Sequence, residues 1–117
     1  MKKIITCILF LFFAVFAANA QDRSYIHIVN NTGYEIYFVF MSSSYENSWG
    51  PDLLAEDQTL QNGETFTYQL PYFLRDVEIY DILLEDLDGD TYTKWGVAVT
   101  ANAIIIFTID DIDFDET

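Results

Sequence analysis

The sequence ETFTYQL, at positions 64–70, carries the pattern that decides the fold class of this 117-residue chain. Its apolar side chains, Phe66, Tyr68 and Leu70, take every second position, with polar residues between them. Successive side chains of a strand point to opposite faces, so this alternation predicts a β-strand with one buried and one wet face. Beyond residue 20, no stretch shows a sustained three-to-four-residue apolar period, which argues against a helical domain.

Five further runs, rich in β-branched and aromatic residues, lie between turn signals such as Asn62-Gly63 and Asp88-Gly89. The predicted strands span residues 24–30, 34–42, 64–70, 76–85, 91–99 and 103–110. Short strands at regular turn spacing, without helices between them, are typical of a sandwich or a small barrel. We expect an all-β domain: an antiparallel β-sandwich of about six or seven strands with an Ig- or C2-like two-sheet arrangement.

Two of these runs, IYFVF at residues 36–40 and IIIF at residues 104–107, are apolar on both faces. This predicts that their strands are central in the sheets and covered on both sides. The order of the strands stays open, and for the last three we consider an up-down-up meander.

Residues 1–20 are predicted to be a secretory signal peptide. Lys2 and Lys3 form a short positive region, residues 4–18 are apolar, and a small-x-small cleavage site at residues 18–20 precedes Gln21. The apolar run is shorter than the roughly 18 residues of a spanning helix. We expect a secreted or periplasmic protein, with residues 21–117 as one domain and no membrane insertion after cleavage. The alternative is an uncleaved anchor.

The charge of the chain is strongly negative. It has 19 acidic and 5 basic side chains, and removal of Lys2 and Lys3 with the signal changes the net charge from −14 to −16. Nucleic acids and anionic membranes are bound by basic surfaces that replace counterions. We therefore expect neither as a partner.

Residues that could support catalysis are scarce. The one cysteine, Cys7, lies inside the predicted signal, so the exported domain has no disulfide, thiolate ligand or cysteine nucleophile. The one histidine, His27, is expected to be a strand residue bonded to a neighbour rather than a triad member. The five glycines are isolated and form no phosphate-binding loop. We expect a protein that is not an enzyme, with an unrecognised hydrolase as the weakest alternative.

The segment EDLDGDTY, at residues 85–92, is the best local signal of a binding site. Asp86, Asp88 and Asp90 could converge on Ca²⁺, with Gly89 allowing a sharp bend. The segment departs from an EF-type loop, however, and an Asp-Gly pair is by itself a strong hairpin signal that needs no metal.

An up-down-up meander of the last three strands would bring the C-terminal end of the last strand to the same pole as this acidic turn. So many carboxylates repel one another, and a divalent ion neutralises them effectively. The pole is therefore either solvated, with no cofactor, or a Ca²⁺ site. The candidate ligands are Asp86, Asp88, Asp90, Asp110 and Asp111, with Asp113 as a further candidate. The tail itself, residues 110–117, is expected to be a solvated, frayed terminus.

The chain contains eight tyrosines and two tryptophans, a large number for a domain of this size. We expect most of them to be buried filling of the sandwich, whereas exposed ones would suit contact with carbohydrate or protein. Trp49, together with Leu53 and Leu54, is expected to plug one end of the core. The sequence NNT at residues 30–32 fits a glycosylation acceptor but is expected to be a hairpin turn without sugar.

Four motifs occur in a distinctive order: NTGYEI at 31–36, SWGPDLL at 48–54, YDI at 80–82 and DLDGDTY at 86–92. In this order they resemble small uncharacterised exported bacterial proteins with an asparagine turn, a Trp-Gly-x-Asp-Leu-Leu loop and a Tyr-Asp…Asp-Gly hairpin. The resemblance implies a bacterial envelope or secreted setting and an all-β domain. It implies no activity and no catalytic residues.

The function expected from these observations is that of an exported, non-catalytic binding or interaction module whose ligand is an unknown protein or carbohydrate. The alternative is a Ca²⁺-dependent module that uses the acidic turn from Asp86 to Asp90 and the C-terminal tail.

Overall fold

The structure, a computed structural model, describes residues 24–114; the predicted signal peptide lies outside them. These residues form six strands: β1 Tyr25–Asn31, β2 Ile36–Ser43, β3 Thr65–Gln69, β4 Glu78–Asp86, β5 Thr91–Val99 and β6 Ala103–Thr108. A short 3₁₀ turn, Ile109–Asp111, follows β6. All six predicted strands are confirmed, and their ends agree to within two residues.

The strands form two three-stranded sheets, in the orders β3-β1-β6 and β2-β4-β5. Neighbouring strands are antiparallel, except that β1 and β6 are parallel. The all-β sandwich is therefore confirmed, in a mostly antiparallel form with one parallel pair.

The meander considered for the last three strands is wrong in its second half. β4 and β5 form a hairpin, but the chain then leaves their sheet and β6 lies beside β1 in the other one. Asn102 has a left-handed backbone (φ 64°) in this crossing, and its amide donates to the Tyr25 carbonyl at 2.7 Å. The change of sheet lets Ile105 and Phe107 of β6 bury their side chains between the two layers.

One hydrophobic core lies between the sheets, built from alternate residues of the strands and from the loops between them. Its buried members are Ile26, Ile28, Ile36, Val39, Leu54, Leu60, Phe66, Leu70, Leu74, Tyr80, Ile82, Leu84, Tyr92, Val99, Ile105 and Phe107. In the stretch at residues 64–70, Phe66 and Leu70 are buried and Tyr68 is half-buried, as the alternation predicts.

The strands expected to be central, β2 and β6, both lie at sheet edges, and this prediction is wrong. The central strands are β1 and β4. The outward side chains of β6, Ile104 and Ile106, are 68% and 48% exposed, and Phe38 of β2 is also exposed. An edge strand with an apolar outer face has the same sequence pattern as a covered central strand, which explains the error.

The segment NNT is not the expected hairpin turn: Asn30 and Asn31 end β1, and the turn that follows leads to β2 in the other sheet. The Asn30 side chain is buried and its Nδ2 donates to the carbonyls of Tyr34 and Leu60, at 2.8 and 2.9 Å. Its Oδ1 accepts from the amide and the hydroxyl of Thr32. The amide nitrogen that a sugar would occupy is therefore engaged inside the protein.

The loop after β2 is held against that strand by Asp52. One oxygen of this carboxylate accepts from the amides of Val39 and Leu54, at 2.9 and 3.1 Å. Leu54 is buried in the core, as expected of a plug. Trp49 is not: it is half-buried and packs on the outer side of the second sheet, so its expected place in the core is wrong.

Candidate functional site

Only two of the ten tyrosines and tryptophans, Tyr80 and Tyr92, are buried, so the expectation that most of them fill the core is wrong. Two sheets of three strands leave few interior positions, and aliphatic residues occupy most of them. The exposed members are Tyr34, Tyr45, Tyr72 and Trp95. The remaining four are half-buried.

Trp49 and Trp95, the two tryptophans of the sequence, pack against each other. Their ring centroids are 5.6 Å apart and their planes are inclined by 45°. Trp49 comes from the loop after β2, and Trp95 from β5. The Trp95 side chain is 69% exposed, so most of its surface is open to a ligand.

A β-bulge in β5 directs the Trp95 side chain toward Trp49. Tyr80 pairs with Val97 and Ile82 pairs with Lys94, so Asp81 stands opposite two residues of β5, Trp95 and Gly96. Gly96 has a left-handed backbone (φ 61°), and its amide donates to Oδ1 of Asp81 at 2.8 Å. Bulges bend a strand and redirect side chains, and they are frequent beside functional sites.

The tryptophan pair borders a cleft of about 150 Å³. Polar side chains complete its lining: Ser42, Glu46, Asn47, Ser48 and Asp81. Oδ1 of Asp81 also accepts from the Ser44 hydroxyl at 2.8 Å, which fixes the carboxylate in place. An aromatic surface next to hydroxyl, amide and carboxylate groups can stack on a ligand and orient it by hydrogen bonds. We call this place the tryptophan cleft.

A second cleft adjoins it and shares Ser42 and Glu46. Here the hydroxyls of Tyr72 and Tyr80 both donate to one carboxylate oxygen of Glu78, at 3.1 and 3.0 Å. Burial, the neighbouring Tyr68 and the negative charge of Glu46 raise the pKa of Tyr80 above its ordinary value. Glu46 therefore stands between two clefts that both combine aromatic rings with carboxylates.

The acidic turn between β4 and β5 is organised by Asp86, which is only 3% exposed. Its Oδ1 accepts from the amides of Asp88 and Asp90, both at 3.0 Å, and its Oδ2 accepts from the Tyr92 hydroxyl at 2.8 Å. One oxygen from each of the three carboxylates lies within 4.8 Å of the others. The structure thus brings Asp86, Asp88 and Asp90 together, but both oxygens of Asp86 already have protein donors.

The two further candidate ligands do not join this group within the described residues. Asp111 forms an ion pair with Nζ of Lys94 at 3.0 Å and accepts from the Thr108 amide at 2.9 Å. Asp110 is exposed on the 3₁₀ turn. A helix-type cap, not a shared ion, explains the position of Asp111.

The C-terminal segment lies against β5 as far as Asp113, so this part of the tail is not frayed as expected. Ile112 pairs with Tyr92, and the amide of Asp113 donates to the Thr91 carbonyl at 2.8 Å. The Asp113 carboxylate accepts from the hydroxyls of Thr91 and Thr93. Asp113 therefore lies beside the acidic turn, held there by Thr91 of β5 and not by a meander.

His27 lies in β1 with its Nδ1 2.9 Å from the Thr67 hydroxyl, so the expectation of an ordinary strand residue bonded to a neighbour is confirmed. Among residues 24–114, no helix is long and apolar enough to cross a membrane. Comparisons with protein-family models, with curated proteins and with solved structures found no match.

The tryptophan cleft was not predicted from the sequence. Strict alternation along β5 places Trp95 on the same face as Val97, and Trp49 was expected in the core. One available signal was Gly96, because a glycine inside a strand pattern suggests a bulge.

Proposed function

We propose that this chain is an exported, non-catalytic binding module whose ligand site is the tryptophan cleft. One observation carries the proposal: Trp95, mounted on a bulge, lies exposed beside Trp49 at the mouth of a cleft lined by polar groups. Its export, to a secreted or periplasmic location, is supported by the signal-like pattern of residues 1–20.

The exposure of Trp95 favours a ligand because folding alone does not require it. A tryptophan that is 69% exposed leaves a large apolar surface in water. Tryptophan is also enriched where proteins contact partners, since a covered indole contributes much to affinity. Ligands with one apolar face and a polar rim fit this arrangement, which includes the sugar rings and protein side chains expected as partners.

The cleft contains two carboxylates, on Glu46 and Asp81, and glycoside hydrolases also use a pair of Asp or Glu side chains for catalysis. One of that pair must act as an acid, and its pKa is raised by shielding from water. Glu46 is exposed, and Asp81 accepts from the Gly96 amide and the Ser44 hydroxyl. Neither side chain is therefore the shielded, unengaged acid that hydrolysis requires, so we assign the cleft to binding rather than turnover.

Both tryptophans of the sequence lie at the site, so tryptophan fluorescence reports directly on ligand binding there. Titration of the exported protein with oligosaccharides, amines and short peptides should change tryptophan fluorescence for at least one class. Calorimetry should then show that Trp95→Ala removes the binding, whereas Tyr34→Ala, an exposed aromatic near the acidic turn, leaves it unchanged. Absence of any response, or release of a hydrolysed product, would contradict the proposal.

A second candidate function, a Ca²⁺-binding module, is favoured by the convergence of Asp86, Asp88 and Asp90 within 4.8 Å. In this function the exposed carboxylates of Asp88 and Asp90 supply the free oxygens. A bound ion should raise the melting temperature in Ca²⁺ relative to EDTA. An unchanged melting temperature would contradict it.

The Ca²⁺ response is tested further with the double variant Asp88→Asn/Asp90→Asn, which should lose it. The matched control is Glu56→Gln/Asp57→Asn, which removes the same number of exposed charges from a loop outside the acidic turn. A response lost in both variants would show a general charge effect instead of a site.

A further inference from the structure

We propose that the group seated in the tryptophan cleft is an organic cation of the alkylammonium class. This rests on the proposed function, since it names the chemistry that the same cleft would bind. The proposal is based on an exposed tryptophan face that lies beside two carboxylates without a cationic partner among the described residues.

The charge of the cleft is negative and uncompensated. Glu46 and Asp81 line it, and neither lysine nor arginine does. Over residues 24–114 the one ion pair joins Lys94 to Asp111, so neither cleft carboxylate is paired within the chain that the structure describes. On Asp81, only Oδ1 accepts hydrogen bonds from the described residues, and Oδ2 is left for a ligand.

The aromatic part of the cleft selects among cations. The face of an indole carries the negative end of a quadrupole and attracts an ammonium group more strongly than other aromatic rings do. Small inorganic ions hold their water too tightly to benefit, whereas an alkylated ammonium also buries its methyl or methylene groups against the ring. Trp49 and Trp95 together offer such a surface.

Other classes of ligand match either the aromatic surface or the negative charge of the cleft, but not both. An anion would be repelled by Glu46 and Asp81, and by a chain whose net charge is −14. A neutral sugar could stack on Trp95 but would leave both carboxylate charges uncompensated. The cleft volume of about 150 Å³ is below the roughly 300 Å³ at which typical ligand sites begin, which suits a single charged group rather than an extended ligand.

The same group can come from a free amine or from a lysine side chain of a partner protein. Both present an alkylammonium to the cleft, and the whole-chain charge would attract either one. The experiment therefore first tests the charge and then separates these two sources.

The charge is tested with choline and 3,3-dimethyl-1-butanol, its uncharged carbon isostere, at constant ionic strength. Tryptophan emission of the exported protein is the readout. A single group at an open site should bind with a dissociation constant of about 1–10 mM, and choline should bind about tenfold more tightly than the isostere. Added NaCl should weaken choline binding.

Glu46→Gln keeps the shape of an exposed side chain and removes one cleft charge, so choline affinity should fall by about fivefold. The control is Glu56→Gln, which changes the net charge equally but lies outside the cleft, and it should leave affinity unchanged. A capped peptide with one lysine is then compared with butylamine: tighter peptide binding assigns the cation to a protein, and equal affinity assigns it to a free amine.

Equal binding of choline and its isostere, or an unchanged affinity in Glu46→Gln, would overturn the cation assignment. Binding of a neutral sugar alone would overturn it too, but the proposed binding module would stand. If no sugar, amine or peptide changes the tryptophan emission, both proposals fall.

Discussion

The Tyr92 hydroxyl donates a hydrogen bond of 2.8 Å to the Asp86 carboxylate inside the core, where both side chains are buried. The other oxygen of that carboxylate holds the amides of Asp88 and Asp90 across the hairpin turn. A buried charge is tolerated only when donors satisfy it, and three donors do so here. The turn and the core beneath it are therefore one structural unit.

Removal of the Tyr92 hydroxyl should destabilise the domain. Tyr92→Phe leaves a buried carboxylate oxygen without its donor, and the free energy of unfolding should fall by about 2 kcal/mol. Urea denaturation measures the change. Tyr80→Phe is the control, because its partner Glu78 is exposed and water can replace the lost bond. Equal losses in the two variants would contradict this account.

Stability should also fall in alkaline solution. Burial raises the pKa of Tyr92 well above its ordinary value of 10.0, and the hydrogen bond that its hydroxyl donates to Asp86 and the charge of that carboxylate raise it further. The folded state therefore keeps this proton after the unfolded chain has lost it. The contribution is complete below about pH 10 and is lost as the pH rises through the folded-state pKa.

Urea midpoints measured from about pH 8 to about pH 11 should fall steeply above pH 10 for the natural chain. They should fall less steeply for Tyr92→Phe, with the residual slope including Tyr80, whose pKa is raised in the same direction. The same slope in both proteins would contradict a raised pKa at Tyr92.

Asp86 should matter for stability without any metal. Asp86→Ala removes the acceptor of three hydrogen bonds, and the unfolding free energy should fall by about 3 kcal/mol in EDTA and in Ca²⁺ alike. Asp88→Ala, an exposed neighbour, should cost no more than about 0.5 kcal/mol in EDTA. If Asp86→Ala had an effect only in Ca²⁺, the role of this carboxylate would be metal binding and not turn structure.

The bulge should depend on Asp81. Asp81→Ala removes the acceptor of the Gly96 amide and of the Ser44 hydroxyl, so Trp95 should lose its fixed place beside Trp49. We expect a shift of tryptophan emission to longer wavelength and a loss of about 1–2 kcal/mol in unfolding free energy. Ser44→Ala, which removes only one of the two bonds, should leave the emission nearly unchanged. An unchanged spectrum in Asp81→Ala would show that the bulge does not need this carboxylate.

Export should leave Gln21 as the first residue. Expression of the full sequence in a Gram-negative host should yield a periplasmic or secreted protein whose mass corresponds to cleavage after Ala20. Ala18→Lys places a charge at the small-residue position before the cleavage point and should retain the precursor. A membrane-bound protein that still begins at Met1 would show an uncleaved anchor instead.

The strands could be predicted from sequence because their signals are local. The alternation at residues 64–70 and the turn dipeptides after it indicate where strands begin and end, without reference to distant residues. The partner of a strand is not local information. β6 could have paired with β5, the strand before it, and its place beside β1 depends on contacts of the closed sandwich.

The tryptophan cleft could not be predicted from the sequence for a different physical reason. A strict period of two assigns Trp95, Val97 and Val99 to one face of β5. The extra residue at the bulge shifts this phase, so Trp95 faces water while Val99 is buried. One inserted residue thus reverses the face of every side chain beyond it.

The parallel pairing of β1 with β6 sets when the protein can fold. Ile26 pairs with Ala103, so the first strand of the domain waits for the last one before its sheet is complete. Closing so long a loop is slow and only the finished chain can do it. A polypeptide that emerges N-terminus first from an export channel therefore cannot complete the β3-β1-β6 sheet until β6 has emerged. For the exported protein we propose, completion of this sheet would follow translocation of β6.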